Sequence, residues 1–385
     1  MPDEQNAYVF YLDAVVASSL LLDEHEELMA AEKNGVGYDE LRENIIANNA
    51  SALSLIESAA NAPLSQAPIE RIFPDGPAVD NGTVRRLGTI LLIYQRSLLG
   101  KGRELEAMDY SVHLAELGRR LTASNPTSIY YLHAVQTERV ALQAFRKTLN
   151  RVSLSTDDLV GYIDRLSKLH DDGSFLSQSM AEDYFFWNRT IEAIFTDEAK
   201  SGETTLDRII DLIPQDPKSR DYYYHPHRTR ALILELFQPL IEDAHLSYSE
   251  MRLIPMDEVS AISPTSFILF FTPNGVSEVL IRILYPSLLR TPEVKCRLNC
   301  EIAACQTLVA LKCYENDNGI SAENLDVLVP RYLPNLPLDD YSGAPLLYDP
   351  ERRILYSVGK DLVDDGGDES SDIVWAIGGA TGLSP

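Results

Sequence analysis

The stretch Val84-Arg-Arg-Leu-Gly-Thr-Ile-Leu-Leu-Ile-Tyr-Gln-Arg-Ser-Leu-Leu-Gly100 decides the fold class. It reads as an amphipathic helix and closes on Leu99-Gly-Lys-Gly102, where glycine supplies the stop. Two segments of the same kind follow, at 103–123 and 128–149, and the joint Thr122-Ala-Ser-Asn-Pro126 carries cap and stop residues. Helices of about 15–20 residues joined by short turns form antiparallel hairpins, the unit of α-solenoids.

Moving outward, 155–169 opens on a Ser155-Thr-Asp-Asp158 cap, and 177–195 and 228–243 fit the same unit. Toward the N-terminus, 6–32 and 38–60 show helical apolar spacing. Between them and residue 84 a break at 61–83 holds Pro63, Pro68, Pro74, Gly76, Pro77 and Gly82. No strict repeat consensus recurs, so the array is repeat-like only. Ser266-Phe-Ile-Leu-Phe-Phe271 is either a short β-prone run or an apolar plug packed under helices. A long helix is expected from Pro292 to Glu315, ending at Gly319, then a short one over 322–329 with Ser321 as N-cap. Strand-like runs follow at 345–348, 354–357 and 373–377. The expected class is therefore mainly α with a small C-terminal α+β module. A helical-hairpin, α-solenoid-like domain over 1–250 leads through a connecting segment, 251–290, to an α+β domain over 291–385.

The chain has 385 residues, 33 basic against 58 acidic, and a formal charge of −25. Such a surface repels nucleic acid and anionic membranes, both of which are bound through basic patches. Its 45% apolar content is that of a globular protein. No run of 18 apolar residues exists to span a membrane, and Met1-Pro-Asp-Glu-Gln-Asn lacks the basic and apolar regions of a signal peptide. The expected location is the cytoplasm, or the cell envelope or periplasm if an anchor has been removed. Cys296, Cys300, Cys305 and Cys313 scatter around one helix, and only Cys296 and Cys300 share a face. They read as buried, reduced thiols; a metal or redox site is the alternative.

The densest acidic run places Asp361, Asp364, Asp365, Asp368, Glu369 and Asp372 within twelve residues, among glycines and between strand-like runs. Charges this close repel one another. Two readings stand: a solvated surface loop, or a site for a hard divalent cation such as Ca²⁺, which takes six to eight oxygen ligands. The run does not follow the EF-hand pattern. Asn316-Asp-Asn-Gly319 mimics an EF-hand centre, but Tyr314 and Leu325 would fall on ligand positions, and a helix C-cap is the better reading.

The order of motifs from about 294 to 378 resembles the globular part of the major pseudopilins of bacterial type II secretion. The residues that carry the likeness are Tyr314 and Gly319, then Leu328-Val-Pro-Arg-Tyr-Leu333, then Pro337, Asp339, Gly343, Pro345 and Tyr348. Ser357, Gly359, Asp361 and the closing Asp372-Ile373 complete it. Departures are Asp340 at the usual turn proline, an extra residue before Gly343, Leu362 for the glycine after Asp361, and Ser371 for the first acid of the closing pair. The resemblance implies a pseudopilin-like helix plus an antiparallel β-meander, with Ca²⁺ bound by Asp361, Asp364, Asp365 and Asp372. Helical residues stand where that family has an apolar assembly helix, so the chain is not read as a working pseudopilin subunit. It is similar to large bacterial envelope-type proteins in which such a module follows a helical domain.

No G-x-S-x-G, H-E-x-x-H, Walker A or G-x-G-x-x-G motif is present, and the seven histidines form no triad order. His113 and His133 could face each other across a hairpin, but packing is the plainer role. Tyr222-Tyr-Tyr-His-Pro-His227 pairs an H-x-H with clustered tyrosines and reads as an aromatic inter-helix corner. The function expected is a non-enzymatic interaction or scaffold protein, secretion- or envelope-associated, that engages a protein partner and carries a Ca²⁺-binding loop. The alternative is a hydrolase-like enzyme with its site near Tyr222–His227.

Overall fold

The computed structural model describes residues 6–20, 26–28, 30–31, 38–62, 81–124, 127–195, 225–253 and 275–378. Its helices are α1 Ala7–Ala17, α2 Tyr38–Asn48, α3 Ala50–Asn61, α4 Asn81–Gly100, α5 Glu104–Ser124 and α6 Ser128–Leu149. They continue as α7 Thr156–Ser167, α8 Ser174–Phe195, α9 Pro226–Glu242 and α10 Gly275–Asn318. Three strands follow among the described residues: β1 Leu347–Asp349, β2 Ile354–Ser357 and β3 Ile373–Ala376. The protein is thus mainly helical, with a small antiparallel sheet at the C-terminal end. The run Ser266–Phe271 and residues Tyr222–Tyr224 lie outside the described residues.

Several helix ends follow local chemistry. Ser155 caps α7 through a complete capping box, its side chain accepting from the Asp158 N–H while the Asp158 carboxylate accepts from the Ser155 N–H. Gly319, at φ +71°, ends α10, and its N–H donates to the Glu315 carbonyl. Other ends depart from the expectation. The segment expected as one helix over 38–60 divides at Asn49, which is fully buried and spends its side chain on the backbone of Ser19 and Ile45. Helix α10 begins seventeen residues before Pro292 and passes through it, although proline withholds an N–H from the helix ladder. The expected helix over 322–329 is only a 3₁₀ turn, Leu325–Leu328, capped by Asn324. Ser321 instead accepts a hydrogen bond from Arg353 and donates to Glu315 at 3.4 Å.

The chain divides into two compact units. The first comprises residues 1–125, 129–170 and 296–385, and the second 126–128 and 171–295. In the first, α4 and α5 pack as a hairpin across the Gly100–Glu104 turn, α1 lies on α3, and α2 lies on α4. Its core holds Leu87, Ile90, Leu91, Tyr131 and Phe145, each almost fully buried. Helices α5 and α6 approach closely at Gly118, where an added Cβ would stand 2.6 Å from Glu138 Cγ and 2.8 Å from the Ala134 carbonyl oxygen. In the second unit α8 packs on α9 around Leu176, Met180, Ile233 and Phe237. Lys295, only 1% exposed there, donates from Nζ to the Leu246 carbonyl at 3.0 Å.

All four cysteines are buried, and none forms a disulfide. Cys300 donates from Sγ to Asp339 at 3.1 Å, and burial first, then the Asp339 charge, raises its pKa well above that of an ordinary thiol. Among the described residues no helix is long and apolar enough to cross a membrane.

Candidate metal centre

The acidic run connects β2 to β3 of a meander whose strand order is β1-β2-β3, antiparallel throughout. Register pairs Leu355 with Trp375 and Ser357 with Ile373, which brings the two ends of the loop together. Strand β2 is buried along its whole length, which anchors the loop's first residue. The entry is fixed further by Asp339, only 2% exposed, whose Oδ2 accepts from the Val358 N–H at 3.2 Å and whose Oδ1 accepts from the Tyr341 N–H at 2.9 Å.

The exit is fixed by Glu301 on α10. Its carboxylate meets Arg146, Arg297 at 3.3 Å and Arg139 at 3.8 Å, and accepts from Trp375 Nε1 of β3 at 3.3 Å. Burial alone would push this carboxyl upward; the guanidinium charges of Arg146, Arg297 and Arg139 outweigh it and hold the pKa below the ordinary value.

Within the loop the aspartates divide into two kinds. Asp361, Asp364 and Asp368 make turns: Asp361 accepts from the Val363 N–H at 3.2 Å, Asp364 from the Gly366 N–H at 2.9 Å, and Asp368 from the Ser370 N–H at 2.8 Å. Side-chain and backbone hydrogen bonds from Ser370 hold Asp368 below the usual carboxylate range. Asp372 is different. It is 5% exposed, one oxygen accepts from the Gly367 N–H at 2.7 Å, and the other, Oδ1, is buried with no hydrogen-bond partner. Burial, then the charges of Asp365 and Asp364, raise its pKa above that of a free aspartate. Tyr356 of β2 borders the same place; its pKa is raised by burial first and then by the negative charge of Asp364.

Gly367 makes this geometry possible. At φ +75° its missing side chain leaves room for Ile354 Cδ1, which a Cβ would meet at 2.6 Å. Arg352 holds the turn from outside, donating to the carbonyls of Gly366 and, at 2.9 Å, Gly367.

Of the expected ligands, Asp364 and Asp365 lie within charge range of Asp372, while Asp361 and Asp364 each accept an N–H within their own turn. Among the described residues no three His, Cys, Asp or Glu side chains already stand at metal-binding geometry. Within the loop, the feature that fits a cation is the orphaned Oδ1 of Asp372, an acceptor withdrawn from water beside two further carboxylates. Sequence reading missed Asp339, Glu301, Tyr356 and Arg352. Only Asp339 had a signal, its place in the Pro337–Gly343 turn.

Comparison with family models, with curated proteins and with solved structures finds no match.

Proposed function

We propose that the chain is a non-enzymatic bacterial interaction protein, in which a helical array offers the partner surface and a pseudopilin-like C-terminal module is pinned by Ca²⁺. The observation that carries the proposal is the buried, unpartnered Oδ1 of Asp372 next to Asp364 and Asp365. A burial cost of this kind is offset by a hard cation, whose coordination replaces both the lost hydration and the mutual repulsion. Asp364, Asp365 and Asp372 are the ligands favoured, with backbone or water oxygens completing the shell. Asp361, which like Asp364 makes its turn through Oδ1, is the fourth. The motif order from 294 to 378 supports the same cation, and the envelope is the compartment it favours.

The scaffold part of the proposal is supported by Phe185 and Phe186 on α8, which expose 60% and 54% of their surface. The alternative, a hydrolase site near Tyr222–His227, draws no support from His225 and His227, which are exposed at the start of α9.

The test is thermal unfolding of the full chain with Ca²⁺ or with chelator. Ca²⁺ should raise the melting temperature of the native chain, and Asp364→Asn/Asp365→Asn should abolish that rise while leaving the helical content unchanged. A melt indifferent to both Ca²⁺ and chelator would reduce the loop to a solvated turn.

A further inference from the structure

Helices α2, α4 and α6 line a half-open cavity of about 760 Å³ in the first unit. That is the size of pockets that hold small organic molecules. Its lining is unlike the rest of the chain. Among the described residues that line it, Arg42, Arg96, Lys147 and Arg151 are basic and Glu104 is the one acid. Asp39 and Glu43, which pair with Arg42, are not in the lining; the whole protein has 58 acids to 33 bases.

The basic residues come from different elements. Lys147 lies in the last turn of α6, where a cation also suits the helix end, and Arg151 follows one turn later. That explanation does not reach Arg42 on α2 or Arg96 on α4. Arg42 is held in place rather than loose: its side chain is 12% exposed, its guanidinium lies 5.3 Å from the Tyr38 ring centre, and Asp39 meets it at 2.9 Å. Glu104 is partly spent, since its Oε2 accepts from the Ser153 N–H at 3.1 Å.

Between these charges the wall is apolar, with Leu92 and Leu99 on one side and Val140 and Val152 on the other. Gln95, 4% exposed, lines the cavity and donates from Nε2 to Thr148 at 2.6 Å, a bond that uses one N–H of an amide carrying two. A basic mouth over an apolar wall with a fixed polar group is the chemistry of a site for an amphipathic anion.

We propose that this cavity binds a small organic anion, a phosphate or carboxylate head on a compact apolar body, with the head held by Lys147, Arg151 and Arg42 and the body against Leu92 and Val140. The negative surface around it repels free anions in bulk, so the basic patch confines binding to the cavity. The site does not involve the acidic loop and owes nothing to Ca²⁺.

The experiment is a calorimetric titration of the full chain, in chelator and about 0.15 M salt, with 1-naphthyl phosphate, 1-naphthol and inorganic phosphate. 1-Naphthyl phosphate should bind once per chain and about tenfold or more tighter than either other probe, since it alone uses both the charges and the wall. The exposed pair Lys147→Gln/Arg151→Gln should weaken it by a similar factor without changing the thermal melt, while Arg331→Gln, an exposed arginine elsewhere, should leave it unchanged. Equal binding of 1-naphthol would make the cavity merely apolar and overturn the proposal. So would equal binding of inorganic phosphate, indifference to the double variant, or no saturable heat at millimolar probe.

Discussion

Glu301 shows how much one buried charge organises. Its partners Arg146, Arg297, Arg139 and Trp375 join α6, α10 and β3, so the carboxylate fastens the last strand to the helices. Of its three guanidinium partners Arg146 is the most buried, so Glu301→Gln leaves that cation poorly compensated and should cost about 3 kcal/mol in denaturant unfolding. The pH dependence has a definite sign. The folded-state pKa lies below the ordinary 4.5, so the folded state resists protonation. Its stabilisation is complete above that value and is lost as pH falls through the lowered one. The native chain should lose stability there, and Glu301→Gln should flatten that part of the curve; an unchanged acid limb would contradict the role. None of this was legible beforehand, since Glu301 and Arg146 are far apart in sequence and an acid in a helix usually faces water. The acids of the loop were legible as a cluster, but not the burial that separates Asp372 from its neighbours.

At the scale of elements, the helices were readable where caps and stops agree with packing, as at Ser155 and Gly319. They were misread where the structure departs from the local signal. Pro292 signals a start, yet α10 passes through it; Ser321 resembles a cap, yet Arg353 and Glu315 take its hydroxyl. Asn49 was not readable as a break, because its buried contacts to Ser19 come from across the unit. The close approach of α5 and α6 gives a test in which two effects have opposite signs. Helix propensity alone makes Gly118→Ala stabilising by about 1 kcal/mol. The contact of 2.6 Å to Glu138 Cγ and 2.8 Å to the Ala134 carbonyl opposes it, and backbone cannot yield as a flexible side chain can. The variant should therefore unfold at a lower temperature than the native chain, and a higher one would show that the helices separate at little cost.

On the scale of the whole molecule, the proposed Ca²⁺ site lies in one of two compact units, the one that holds α1 to α7, the end of α10 and the sheet. Binding to the folded state alone stabilises it by about 2.7 kcal/mol when the free ion is at a hundred times its dissociation constant. The effect should weaken in acid, because Asp372 carries a raised pKa and its proton competes with the cation. Mg²⁺ should substitute poorly, since it demands octahedral geometry that an irregular loop does not provide. The most direct measurement is a Ca²⁺ titration by calorimetry on the native chain and on Asp372→Asn. The account predicts one saturable site in the native chain that weakens as pH is lowered, and its loss in the variant. No Ca²⁺ heat at millimolar concentration, or equal binding by Asp372→Asn, would contradict it.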